Sequence, residues 1–274
     1  MALPIDNRSL YRICSQSLKM KEVSFADINY LVAQAMSNAT ATMRFPGMQN
    51  NSDIRKLCTN LVPFPRLHLI TQGQAPLVAR GVSKYITLDE GELTKALFDP
   101  RSFICEGNPK NGRFLTGSIL YRGENVSGGE VDRQIQQITD KHSKTFVEWI
   151  PNRLMTSICS VSPPYKTCTM SGSSLFNSTT ISHTLERLLT NFDLMYNRKA
   201  FLHQYLQEGM DLSEFDEARA NISDLISEYQ QYQEMGVEED YDEEGEDLEK
   251  TINSMVSSRG TGSTRPTTAM SHQE

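Results

Sequence analysis

Residues 25–43, FADINYLVAQAMSNATATM, constrain this chain more than any other stretch. Phe25, Ile28, Val32, Ala35, Met36, Ala39 and Met43 recur at helical spacing, and Leu31 widens the stripe. A stripe that broad on a long helix predicts burial on more than one side. The chain therefore has to be layered around this helix, and 274 residues are enough to bury a sizeable core.

The rest of the chain supplies the layers. Residues 4–20 carry Ile5, Leu10, Ile13, Cys14 and Leu18 at helical spacing, and Ile54, Leu57, Cys58 and Leu61 predict a short helix stopped by PFPR. RLHLITQ (66–72), RFLTGSILYRG (113–123), TFVEWI (145–150) and LMTSICSV (154–161) read as strands, TCTMSGSSL (167–175) more weakly, and 73–85 as loop. Thr87 with Glu90, and Ser127 with Glu130, have capping-box spacing ahead of helical patterns. Two helices close the ordered part. One carries Leu185, Leu188, Leu189, Phe192 and Met195; the other, opened by Asp211 and Glu214, carries Phe215, Ala218, Ile222, Leu225, Tyr229 and Tyr232. Strands alternating with helices indicate an α/β or α+β unit around a mixed sheet.

Charge separates a tail from this body. Of 34 acids and 27 bases, ten acids and three bases lie beyond residue 237, which leaves 24 of each before it. The block EEDYDEEGEDLE (238–249) is a solvated tail suited to basic partners and unsuited to nucleic acid, and the Ser/Thr/Gly-rich stretch after it predicts disorder. Glu214, Glu217, Asp224 and Glu228 extend the acidic character onto the last helix. No apolar run approaches the roughly 20 residues of a membrane span, so no membrane partner is expected. Cys14, Cys58, Cys105, Cys159 and Cys168 have no metal-ligand spacing and fit reduced thiols of a cytosolic protein.

The residues alone reveal no active site. There is no phosphate loop ending in Lys-Ser/Thr; RGTGSTR (259–265) lacks the strand before and the helix after it that such a loop needs. The five histidines are far apart, and no metal site is expected. No nucleophile elbow is present.

Several blocks nevertheless resemble those of the tubulin family, and of its β branch. They are IDNRSLYRIC (5–14), MRFPG (43–47), LVPFPRLH (61–68), FVEWIPN (146–152), RKAFLHQYLQEGMD (198–211) and DLISEYQQYQ (224–233), in family order. CSVSPPYKTC (159–168) and Lys56 within DIRKL point to the β branch. The resemblance implies a tubulin-like α/β fold. Residues 1–44 would be the end of a Rossmann-like nucleotide-binding domain plus the core helix, 45–180 an α+β intermediate domain, 181–235 a carboxy-terminal helical hairpin and 236–274 the tail. It covers only the later part of a tubulin.

By the same resemblance Asn7 and Asn29 would read the guanine base of GTP, and Phe25 would stack on it. The loop MRFPGMQNNSDIRKL (43–57) would face the nucleotide of a neighbouring subunit through Asn50, Asp53 and Lys56, with Lys56 where an α-type loop carries a glutamate that promotes hydrolysis. This loop reads one residue longer than the family loop, and Gln74 replaces an apolar residue in the loop for lateral contacts. The function implied is a GTP-binding structural subunit of cytoplasmic microtubules, partnering α-tubulin and neighbouring subunits, with motors and microtubule-associated proteins on the acidic helix and tail. The alternative is a truncated, non-polymerising module that binds or caps microtubules. Without phosphate loops the printed chain is expected to bind GTP weakly and not to hydrolyse it alone; Mg2+ would come only with the missing domain. The stripe around Phe25, Leu31 and Val32 is expected to expose apolar surface.

Overall fold

The centre of the computed structural model is a strand of nine residues, Phe114–Arg122 (β2), buried along its whole length. The structure describes residues 1–45, 53–81, 88–107, 111–141, 143–151, 153–164 and 168–235. β2 lies between Ser171–Ser178 (β4), antiparallel to it, and Leu154–Cys159 (β3), parallel to it. Ile70–Ala75 (β1) pairs antiparallel on the far side of β4, giving a mixed sheet in the order β1-β4-β2-β3.

Both faces of the sheet are covered, which is why β2 and β4 lack the half-polar alternation of a surface strand. One face carries Phe114, Ile119, Tyr121 and Phe176 against Leu93 and Leu97 of α5 (Glu90–Leu97) and Val131 of α6 (Gly128–Lys141). Phe114 and Phe176 stack at 4.5 Å, and burying each ring stabilises by about 1.5–3 kcal/mol. Strict alternation would put Phe114 on the opposite face from Ile119 and Tyr121. The register shifts between Phe114 and Thr116, and this irregularity returns the ring to the common core.

The other face receives the long helix, α2 (Phe25–Ala39), which pauses at Thr40 and continues as α3 (Ala41–Arg44). Ala39, Leu57 and Leu61 of α4 (Ile54–Leu61), Ile70 and Leu175 form one cluster there. On its other side α2 packs Ile28, Leu31 and Ala35 against Leu10, Ile13 and Cys14, from α1 (Asn7–Arg12) and the wider turn Ile13–Ser17 that extends it. The broad stripe thus serves two neighbours. Leu31 is buried and Val32 half-buried; the large apolar side chains that this helix exposes are Phe25 and Met36.

Two helices complete the unit, which spans Met1–Glu234. α7 (Ile181–Tyr196) and α9 (Leu212–Glu234) pack together, with the short α8 (Leu202–Gln207) between them in sequence. Tyr229 of α9 is fully buried beside Leu67, Val147 and Ile181.

Three local expectations are corrected. TFVEWI is not a strand: a turn at Ser143–Thr145 leads to a single bridge between Phe146 and Phe114. Arg153 then donates to the Val147 carbonyl at 2.7 Å, satisfying the backbone without a ladder. The first strand runs later than 66–72, into the expected loop, because Gly73, Gln74 and Ala75 pair with Ser174, Ser173 and Gly172. The Ser127–Glu130 capping box does not close. Glu130 bonds Arg133 and Gln134 instead, and the Ser127 N–H donates to Glu90. Thr87 lies outside the described residues; α5 starts after Asp89.

Candidate functional site

The candidate residues fall into two sets carried by opposite ends of α2. Phe25 and Asn29 occupy its first two turns, whereas its last residue, Ala39, packs on Leu57 of α4, the helix that carries Lys56. At 1.5 Å per residue the helix separates the sets by about 20 Å. One small ligand cannot touch both.

At the first end, α2 opens at Ser24, whose N–H and hydroxyl both donate to Asp27, at 3.1 and 2.6 Å. These bonds, with Arg80 at 3.2 Å, hold the Asp27 carboxyl below its ordinary range. The helix start is fixed while Phe25 projects, 70% exposed, and Asn29 follows one turn later, also exposed. Asn7 is exposed at the first position of α1, whose start is capped by Asp6 accepting from the Arg8 N–H at 3.1 Å. Packing of α1 on α2 brings Asn7 to the same helix pair as the other two. An open aromatic face with the Asn29 amide one turn away on the same helix suits a flat, hydrogen-bonding ring. Among the described residues no His, Cys, Asp and Glu side chains gather as a metal-ligand set.

At the second end, Asp53 caps α4, accepting from the Arg55 N–H at 3.4 Å, so its carboxylate is turned to its own helix. Lys56 is exposed in the first turn of α4, where the helix dipole disfavours a cation. Asn50 lies outside the described residues.

Beside the first end, a cavity of about 660 Å³ opens between the turn after α1, the end of β1 and the end of α5. Leu18, Leu77 and Ala96 line it together with Gln74, Asp99 and Arg101. Gln74 is 1% exposed, and both polar atoms of its amide lack a partner among the described residues. The sequence marks Gln74 only as a polar residue in an apolar place; its burial comes from the strand reaching further than its pattern.

The outer helices carry two kinds of surface. Glu214, Glu217 and Asp224 of α9 are exposed, whereas Glu228 is engaged by Arg66 at 2.6 Å. Leu188, Leu194, Met195, Phe201, Tyr205 and Leu206 are exposed around α7 and α8, so the expected stripe of α7 is only partly covered.

Residues 65–190 match the model of the tubulin C-terminal domain. The chain is 47% identical over 245 residues to a tubulin beta chain of Cicer arietinum, an alignment covering 89% of this chain and 54% of the relative. It is 46% identical to the tubulin beta-1 chain of Glycine max over 89% of its length, and 46% identical to the tubulin beta-8 chain of Oryza sativa subsp. japonica over 88%. The chain spans about half the length of these relatives, 53–54%.

Proposed function

We propose that this chain, 47% identical to a tubulin beta chain over 89% of its length, serves as a β-tubulin-like subunit of cytoplasmic microtubules, joined head to tail with α-tubulin. The observation that carries this reading is the separation of the two candidate sets by the length of α2. A nucleotide-contacting face at one end and a loop face at the other is what a heterologous, repeating contact requires: each subunit supplies one half to each neighbour. The exposed apolar side chains around α7 and α8 suit burial against a partner subunit.

In this reading Phe25 stacks on the guanine of GTP, while Asn7 and Asn29 hydrogen-bond its edge. The phosphates and Mg2+ would be held by the nucleotide-binding domain that the resemblance implies and this sequence does not include. Lys56 and Asp53 approach the nucleotide of the next subunit, with Asn50 in the same loop. Lys56 cannot act as a carboxylate base there, so its contribution is charge compensation at phosphate oxygens. The three parts proposed are 1–44, which carries the base contacts, 45–180, which carries the loop and sheet, and 181–235, which presents the acidic helix. With the tail, that helix offers motors and associated proteins a negatively charged surface.

A photo-crosslinking residue at position 56 tests the reading in polymer assembled with α-tubulin. An α-tubulin adduct is expected. Incorporation into the pellet with no adduct to α-tubulin contradicts the head-to-tail arrangement.

A further inference from the structure

We propose that the cavity between α1 and α7 binds a phosphate-bearing small molecule, a site independent of the microtubule reading. The cavity holds about 420 Å³ and is lined by Arg8, Arg12, Glu106, His183, Thr184 and Arg187, with Pro100 and Gly107 completing its wall. That volume lies within the range of small-molecule pockets and exceeds what a phosphate alone needs, leaving room for an organic body.

The charges around it do not cancel. Arg187 is satisfied on two sides, by Asp6 at 2.8 Å and by Glu106. Arg8 reaches the same Glu106 at 3.8 Å. Among the described residues Arg12, half-buried, meets only neutral oxygens: the Ser9 hydroxyl at 3.2 Å and the Pro100 carbonyl at 3.4 Å. Among the described residues three guanidinium groups therefore face two carboxylates, and the unmatched one is Arg12. His183 is 3.5 Å from Glu186, outside the lining, and the Thr184 hydroxyl already donates to the Glu106 carbonyl at 3.0 Å.

The lining is thus rich in donors and poor in free acceptors, the chemistry that an acceptor-only oxyanion complements. Arg8 and Arg12 stand one turn apart on α1, at the i, i+4 spacing that puts both side chains on one face. Two planar forks so placed match the oxygens of a tetrahedral phosphate better than a single carboxylate, which one fork satisfies. Glu106 opposes the ligand and limits its affinity; its ties to Arg187 and Arg8 reduce but do not abolish that repulsion.

Isothermal titration of the full chain with inorganic phosphate and with glycerol 3-phosphate, at constant ionic strength, tests the proposal. Binding of either is expected. Tighter glycerol phosphate binding identifies a phosphoester as the natural class, and equal binding identifies free phosphate. Arg12→Gln is expected to weaken binding about tenfold, the loss of one charge-assisted contact, and the exposed Arg8→Gln to weaken it as well. Glu106→Gln is expected to tighten it several-fold, an effect that damage to the fold cannot imitate. Arg66→Gln, on the α9 side, should leave it unchanged. No heat with either compound, or affinities unmoved by Arg8→Gln, Arg12→Gln and Glu106→Gln, overturns the proposal.

Discussion

The Asn177 side-chain nitrogen donates to the Leu67 carbonyl at 2.8 Å and to the Leu61 carbonyl at 3.0 Å. One fully buried amide on β4 thereby ties the end of α4 and the approach to β1 to the middle of the sheet. Leu61 has a second donor in the Thr116 hydroxyl at 2.7 Å, so Asn177 matters most for Leu67. Asn177→Ala is expected to cost about 1–3 kcal/mol, the penalty of a buried carbonyl left without its partner. Urea unfolding followed by circular dichroism measures it. If the variant matches the parent, the proline-rich connection 62–67 is held by something else.

Gly117 is a second fixed point. A Cβ there would stand 2.6 Å from the Phe176 ring and 2.9 Å from Leu154, on a strand enclosed on both sides. Phe176 is stacked on Phe114 and wedged by Phe98 and Phe103, so it has nowhere to move. Gly117→Ala should therefore destabilise by about 1–3 kcal/mol through overpacking, despite the better strand propensity of alanine. A midpoint unchanged in denaturant would show that the ring relaxes.

Gln74 presents the reverse case. Its amide is buried without a partner among the described residues, a cost that its apolar stem does not offset. Gln74→Met keeps the shape and removes the amide, and should stabilise by about 1–2 kcal/mol. Thermal unfolding of the two chains under identical conditions decides it, and a lower midpoint in the methionine variant would show that the cavity satisfies this amide.

The α7–α9 pair carries a pH signature. Arg219 bonds both oxygens of Asp193, at 2.7 and 3.0 Å, and these bonds hold the Asp193 carboxyl below its ordinary range. Asp193 therefore supplies stability that is complete above its unfolded value of about 3.9 and is lost as pH falls through the lower folded value. The groups are partly exposed, so the effect is small. Asp193→Asn is expected to lower the unfolding midpoint at neutral pH, with the difference closing under acid. A constant difference across pH would assign the loss to packing.

The sequence disclosed elements wherever burial imposes a period. The stripe of α2 predicted two neighbours because Leu31 and Ala35 face α1 while Ala39 faces α4. It failed where a segment is buried without a ladder: TFVEWI has strand composition, yet Phe146 makes one bridge and the chain turns away. The candidate residues Asn7, Asn29 and Lys56 are exposed and polar, outside any apolar period, and Phe25 belongs to the stripe of α2 yet is 70% exposed, so periodicity assigned none of them to a site. They were reached by resemblance alone. Arg12 carries no sequence signal for a different reason: its significance lies in having no carboxylate partner among the described residues, a property of elements that meet only in space.

The most direct test of the central claim is co-sedimentation of the protein with α-tubulin under assembly conditions, read as its molar ratio in the pellet. A β-tubulin-like subunit enters the lattice at a ratio approaching one per α-tubulin, and the ratio falls when Lys56→Glu reverses the charge facing the neighbour. A ratio far below one that does not rise with added protein would contradict a subunit and indicate a chain that binds or caps the filament instead.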